Sequence, residues 1–152
     1  MSNIPATAAP PVADWHNDPD LSEKWKIRFA FFEKYGAPGF WGGSPEMKAA
    51  FKQLSSGDRL KVTMNWWAFF CGFVFILFGF VYYAFVLKLW RQTLILLGIW
   101  LALIVIAMIF SALGAPRGFG PGFTAAFAAL CGTRANVLYY LKRTQGDVGW
   151  RL

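Results

Sequence analysis

The chain has 152 residues, of which 57% are hydrophobic and only 15% are charged, against roughly 25% charged in a typical soluble domain. A soluble domain of this length could not bury so much apolar surface, so the composition favours an integral membrane protein. The net charge of +7 comes from cations that lie beside the apolar runs, which favours anionic lipid headgroups as partners and argues against nucleic acid, since no basic face with interleaved aromatics is present.

The first predicted element is a disordered N-terminal tail, residues 1–19, rich in Pro and Ala. An amphipathic helix follows. Asp20 with Glu23 three residues later fits a capping box at its start, and Gly36 fits its end.

An aromatic stripe marks one face of this first helix, on which Trp25, Phe29 and Phe32 fall at helical spacing. Two interpretations account for it. The stripe packs onto a second short helix and the membrane domain, or it lies in the bilayer interface with the basic residues toward the headgroups. Both bury the same side chains.

A second short helix is predicted after a turn-rich connector. Ser44 fits an N-cap, with Pro45 at the first helical position and an acid next, and Gly57 fits the stop. The first two helices together form a predicted cytoplasmic segment, residues 20–61.

The first long apolar run covers residues 62–87 and carries no charge before its end. At 1.5 Å per residue it reaches roughly 39 Å, more than the ~30 Å hydrocarbon core. It begins with Asn65, Trp66 and Trp67, and its tryptophans resemble an interfacial belt. We predict a tilted transmembrane helix; the same run also fits a segment that enters and turns back at Gly72 or Gly79.

A second apolar run, residues 93–113, has no charge and is the clearest predicted transmembrane helix. The short link at residues 88–92 makes the two runs a helical hairpin. The glycines and prolines of residues 114–122 then predict a connector.

The third segment, residues 120–143, is long enough to cross but contains Arg134 and Asn136, and an arginine at mid-bilayer costs ~2.5–3.5 kcal/mol. Ala128 and Gly132, four residues apart, permit close helix packing. We predict a membrane-associated helix packed on the hairpin, followed by a short tail, residues 144–152. The predicted membrane domain is therefore residues 62–143.

Orientation follows from four basic residues just before the first run: Lys48, Lys52, Arg59 and Lys61. They predict a cytoplasmic N-terminus and a multi-pass protein with two crossings. Between Asp58 and Asp147 the sequence has no Asp, Glu or His. This absence argues against a proton-coupled or cation-coupled pump. Neither Cys71 nor Cys131 has the spacing of a metal site, so we expect buried thiols, no metal and no cofactor. The remaining carboxylates lie in the tail, at helix starts or on a solvated face, which predicts a protein that is not an enzyme.

The order of these segments resembles a bacterial family of small inner-membrane proteins, the domain of unknown function 2628. Two stretches carry the resemblance: NWWAFFCGF from Asn65, and ANVLYY, which contains Tyr139 and Tyr140. Family members often have Gly-Pro after the Phe-Phe pair, whereas Phe73 follows Gly72 here; this departure favours a continuous helix. The resemblance implies location in the bacterial cytoplasmic membrane and no activity.

We therefore predict an all-α integral membrane protein with a transmembrane helical hairpin, a third membrane-associated helix and an amphipathic N-terminal helical segment. Its predicted role is that of a non-catalytic accessory or scaffold subunit that binds anionic lipid or another membrane protein. The alternative is a small transporter or channel-like homo-oligomer with a polar path at Asn65, Thr133, Arg134 and Asn136. The residues predicted to contact lipid or a partner are Trp25, Phe29, Phe32, Asn65, Trp66, Trp67, Ala128, Gly132, Arg134, Asn136, Tyr139 and Tyr140.

Overall fold

A computed structural model describes residues 14–40, 42–74, 76–114, 119–146 and 148–152. The described part is all-α, as predicted. It contains seven α-helices and one short π-helical segment: α1 (Glu23–Tyr35), α2 (Pro45–Gln53), α3 (Ser56–Thr63), α4 (Trp66–Val74), α5 (Ile76–Val81), the π segment (Tyr82–Val86), α6 (Trp90–Ala112) and α7 (Phe119–Gln145).

The start of α1 differs from the prediction. Ser22, with extended backbone, occupies the N-cap position, so Asp20 is not the cap. Its end at Gly36 is as predicted, because this glycine has a φ of 82°, which few other residues adopt. Of the predicted disordered tail, residues 1–13 lie outside the described residues. Residues 14–20 form turns and hold Trp15, which is buried.

The second predicted helix does not stop at Gly57: α2 ends earlier, and a further helix, α3, begins at Ser56 and includes Gly57. The Ser44 N-cap is confirmed, since its hydroxyl accepts a hydrogen bond from the Met47 N–H at 3.1 Å. The helix ends at Gln53, and Ser55 then caps α3 by accepting from the Asp58 N–H at 3.1 Å. Each cap satisfies N–H groups that have no partner inside the helix.

The first apolar run is not one straight helix. A continuous helix would separate positions 65 and 82 by about 25 Å. Instead the Asn65 side-chain amide donates to the Tyr82 hydroxyl at 3.1 Å, and α4 and α5 lie against each other. The chain therefore folds back between these helices. We call the two arms, α4 and α5 with the π segment that continues it, the re-entrant pair. The alternative of a segment that turns back is the one present, but the turn lies between α4 and α5, and Gly72 and Gly79 lie within these helices. An apolar composition fits both the straight and the folded arrangement.

The last two helices, α6 and α7, run antiparallel. The Gln92 amide near the start of α6 donates to the Gly149 carbonyl, just beyond α7, at 2.8 Å. Trp100 and Phe127 both contact Phe80, at ring-centroid distances of 6.2 Å each. In the described part of the chain, Trp90–Ala112 is the one helix long and apolar enough to cross a membrane, and only 6% of its most apolar stretch is buried.

The core lies around the middle and C-terminal half of α7. One cluster joins the re-entrant pair and the start of α6 to α7; two others join α1, α2 and α3 to its C-terminal half. By contrast, large apolar side chains along the outside of α4, α5, the π segment and α6 are exposed. We call these side chains the apolar belt: Trp66, Trp67, Phe70, Leu77, Phe78, Val81, Phe85, Val86, Trp90, Leu94, Leu101, Val105, Ile106, Met108, Ile109 and Phe110.

Candidate functional site

Asn65 connects three helices at the open end of the re-entrant pair. Its side-chain oxygen accepts from the Ala68 N–H at 3.1 Å, as an N-cap of α4 does. Its own N–H donates to the Gly132 carbonyl of α7 at 2.8 Å, and its amide reaches Tyr82. Asn65 is almost fully buried, so these bonds replace those it would make to water.

Gly132 allows α4 to lie close to α7. A Cβ added at this position would lie 2.5 Å from Met64 Sδ, 2.9 Å from Phe69 Cβ and 3.4 Å from the Asn65 carbonyl oxygen. Its neighbour Ala128 is fully buried. The small residues of α7 thus form a surface on which α4 lies almost in backbone contact.

Tyr83 completes this junction from the other arm of the re-entrant pair. Its hydroxyl donates to the Cys131 carbonyl, and the side chain is buried. Asn65 and Tyr83 therefore bind successive carbonyls of α7. Both arms of the pair are fixed at one level of α7, which we call the hairpin root.

Arg28 and Asn136 donate hydrogen bonds to backbone carbonyls at the C-terminal end of α3, beside the hairpin root. Arg28 Nε donates to the Lys61 carbonyl at 2.6 Å, and the Asn136 amide donates to the Val62 carbonyl at 2.9 Å. These carbonyls lack helical partners, and a cation at a helix C-terminus is favourable. Desolvation lowers the pKa of Arg28. The side-chain oxygen of Asn136 is buried without a hydrogen-bond partner.

The aromatic stripe of α1 lies inside the protein. Phe29 is 0% exposed and contacts Trp25 and the rings of Tyr139 and Tyr140, with centroids 5.1–6.0 Å apart. Phe32 contacts Tyr140 at 5.4 Å. Of the two interpretations of the stripe, internal packing is the one the structure contains, because α7 supplies complementary aromatic rings.

A cavity of about 510 Å³ opens beside the hairpin root, between α2, the end of α3 and α7. Most of its walls are apolar side chains or glycine backbone, and its charged residues are Lys48, Lys52 and Arg134. None of the described residues that line it is Asp or Glu. The described residues that line it are Phe32, Pro38, Gly39, Phe40, Gly42, Gly43, Met47, Lys48, Phe51, Lys52, Val62, Thr63, Thr133, Arg134 and Val137.

Arg134 is 8% exposed and has no carboxylate partner within 4 Å among the described residues. Its Nη1 donates to the carbonyls of Pro38, at 3.4 Å, and Gly39, at 3.1 Å. Its guanidinium carbon lies 5.9 Å from the centre of the Phe40 ring. Its Nε is buried without a hydrogen-bond partner. The cavity wall thus holds a cation whose charge no nearby acid neutralises.

The structure separates the predicted contact residues into two groups. Trp66 and Trp67 are exposed, Trp67 at 74%. The others lie inside the chain: Phe29, Phe32, Asn65, Ala128, Gly132, Arg134 and Asn136 are buried, and Trp25, Tyr139 and Tyr140 are half-buried. The first seven are covered by α7 and its neighbours and are not exposed contact residues as predicted, although Phe32 and Arg134 also line the cavity.

Sequence reasoning missed Arg28, Lys48, Lys52 and Tyr83 as parts of this site. Lys48 and Lys52 are four residues apart, a spacing that places both on one face of α2. This spacing in the sequence indicates that the two lysines share one surface of α2. No local signal marked Tyr83, whose partner is 48 positions away. The described residues contain no group of three or more His, Cys, Asp or Glu side chains arranged to hold a metal ion.

Comparison with known proteins gives a family without an assigned activity. Residues 18–144 match the family described as "Protein of unknown function (DUF2628)". The chain is 42% identical over 142 residues to "Uncharacterized protein YigF" of Escherichia coli strain K12, covering 91% of this chain and 98% of that protein. It is 37% identical over 139 residues to the protein of the same name from Salmonella typhimurium, with 91% and 98% covered. No solved structure matches. The chain belongs to the DUF2628 family, as the sequence motifs indicated.

Proposed function

We propose that this member of the DUF2628 family is a multi-pass protein of the bacterial cytoplasmic membrane, with a non-catalytic role as an accessory subunit that binds anionic lipid. In this proposal α6 crosses the bilayer, and α7, which has 27 residues and is less apolar than α6, returns the chain to the cytoplasmic side. The re-entrant pair enters the cytoplasmic leaflet and returns. Both chain ends and the helices α1, α2 and α3 lie on the cytoplasmic side.

The observation that carries the proposal is the apolar belt. Moving one large apolar side chain out of water is worth about 1.5–3 kcal/mol, and the belt contains many of them. In water these side chains would be as exposed in the folded chain as in the unfolded chain, so the belt would add nothing to stability and would promote aggregation. Burial of the belt in a bilayer, or against the apolar face of a membrane partner, gains that transfer free energy.

The non-catalytic role rests on how the polar side chains at the hairpin root are used. Asn65, Tyr83 and Asn136 bind backbone atoms and hold helices together. Asp58 and Glu46 lie in the first turns of their helices. These residues are engaged in folding, and the cations around the cavity are suited to binding an anion.

The topology can be tested by labelling single cysteines in whole cells with a membrane-impermeant maleimide, in a variant lacking Cys71 and Cys131. Our proposal places Lys88→Cys inside and Leu113→Cys outside. Two crossings by the apolar runs 62–87 and 93–113 would place them the other way round. Ser56→Cys, in the cytoplasmic segment of both arrangements, is the control that should label only after permeabilisation.

Membrane integration itself is tested by extraction of isolated membranes at high pH. We expect the protein to stay in the pellet until detergent is added. Recovery of the folded chain in the supernatant would overturn the proposal, whatever the labelling pattern.

A further inference from the structure

We infer that the cavity beside the hairpin root is a binding site for one anionic phospholipid, with an acyl chain between the apolar walls and the phosphate at Lys48, Lys52 and Arg134. This inference rests on the proposed function, because it requires the cavity to lie at the cytoplasmic membrane surface. It goes further by assigning a defined site, a ligand class and the residues that select it.

Shape and lining support an amphiphilic ligand. The volume of about 510 Å³ is within the range of roughly 300–1,000 Å³ that small-molecule sites occupy. Phe51, Met47 and Val137 supply apolar wall, which a free anion would leave in contact with water. A hydrocarbon chain covers such a wall, and a purely polar ligand does not.

Charge supports an anionic headgroup. The cavity has three cations and no acid in its lining, and the described residues provide no ion-pair partner for Lys48 or Lys52. Arg134 is buried with a free Nε. A buried cation without a nearby opposite charge is costly, and an anion in the cavity would supply that charge.

Location connects the cavity to the bilayer. Val62 and Thr63 line it at the end of α3, and the exposed Trp66 and Trp67 of the apolar belt follow within four residues. Tryptophan is enriched at the membrane–water interface. A lipid at the edge of the cytoplasmic leaflet would therefore have its phosphate beside α2 without leaving the membrane.

The test is a lipid titration by native mass spectrometry on the full chain in a non-ionic detergent. Phosphatidylglycerol and phosphatidylcholine with the same palmitoyl and oleoyl chains are compared. We expect one phosphatidylglycerol to bind more tightly than phosphatidylcholine. The Lys48→Gln, Lys52→Gln double variant should bind phosphatidylglycerol about tenfold to thirtyfold more weakly, since each basic residue near a headgroup contributes about a factor of five.

Two matched variants separate a site from diffuse attraction. Lys24→Gln with Lys34→Gln removes the same charge from exposed positions of α1 and should change binding less than twofold. Thr63→Phe keeps all cavity cations but narrows the cavity and should weaken both lipids. Addition of inorganic phosphate alone should not displace bound phosphatidylglycerol.

Equal losses in the two double variants, or displacement by inorganic phosphate, would overturn the inference. So would unchanged phosphatidylglycerol binding in the Lys48, Lys52 variant. In each of these cases a protein that still resists high-pH extraction keeps its proposed membrane location. Failure of the site and failure of the proposed function are therefore distinguishable.

Discussion

Replacing Gly132 by Ala tests whether close contact at the hairpin root holds the re-entrant pair on α7. The new methyl group would lie 2.9 Å from Phe69 Cβ, whereas ordinary contacts of this type lie at 3.4–4 Å. Because Phe69 Cβ is attached directly to the backbone, α4 as a whole has to move away. The 2.8 Å hydrogen bond from the Asn65 N–H to the Gly132 carbonyl then lengthens.

The expected magnitude has three parts. Overpacking costs about 1–3 kcal/mol, and weakening the hydrogen bond costs about 0.5–1.5 kcal/mol. The higher helix propensity of Ala offsets about 1 kcal/mol. We therefore expect Gly132→Ala to lower the free energy of unfolding by about 0.5–3.5 kcal/mol.

Gly98→Ala is the matched control. Gly98 lies in α6, and an added Cβ there meets nothing within 4 Å. This variant should keep or raise stability, by up to about 1 kcal/mol. Unfolding in mixed micelles with increasing dodecyl sulfate, followed by far-UV circular dichroism and tryptophan fluorescence, measures both variants. Coincident transitions from the two probes support a two-state comparison.

A second change separates the two contacts. The Met64 Sδ, at 2.5 Å, is the end of a flexible side chain and can move aside, whereas Phe69 Cβ cannot. Met64→Ala added to Gly132→Ala should therefore restore little stability. A Gly132→Ala protein as stable as the Gly98→Ala control would refute close packing at this junction.

Two further predictions concern the ends of α3. Asn136→Ala removes the donor to the Val62 carbonyl and should lower the free energy of unfolding by about 1–3 kcal/mol. The control Asn17→Ala, at an exposed position, should lower it by less than about 0.5 kcal/mol in the same assay. Equal losses of stability in the two variants would contradict the role of Asn136. The hydrogen bond from Lys61, and to a smaller extent that from Ser55, lowers the pKa of Asp58 in the folded protein. The ionised carboxylate therefore stabilises the fold fully at pH values above its unfolded-state pKa, near 4. This stabilisation is lost as the pH falls through the lower pKa of the folded state. The stability difference between wild type and Asp58→Asn, measured from pH 7 to pH 2, should shrink only at the acidic end, and a constant difference would refute this.

Helix ends were predictable where the chemistry is local. Ser44 and Pro45 mark the start of α2 because a hydroxyl and a fixed φ act within one turn. Gly36 marks the end of α1 for a similar reason, its positive φ. Asp20 was misassigned because the helix begins only after Ser22, which occupies the N-cap position without a side-chain capping hydrogen bond.

The fold of the first apolar run was not predictable from its pattern. Hydropathy records that residues 62–87 avoid water, and both a single span and two short antiparallel helices meet that requirement. What distinguishes them are bonds between distant positions, such as Asn65 to Gly132 and Tyr83 to Cys131. Neither bond has a signature within a sequence window.

The candidate site was predicted in part. Arg134 was singled out because a charge in an apolar segment is unusual, and it lines the cavity. Lys48 and Lys52 were used only to orient the chain, since nothing local indicates that the face of α2 that carries them turns toward α7. The cavity exists because several segments meet, and one sequence does not specify such a meeting place.

The hairpin root also has a consequence for biosynthesis. The acceptors for Asn65 and Tyr83 are the carbonyls of Gly132 and Cys131, which leave the ribosome long after the re-entrant pair. At 5–20 residues per second, the 67 positions between Asn65 and Gly132 take about 3–13 s to synthesise. During that interval the two short helices have no α7 to hold their open end, so a nascent chain arrested before residue 131 would carry a hairpin that lacks both of these anchoring hydrogen bonds.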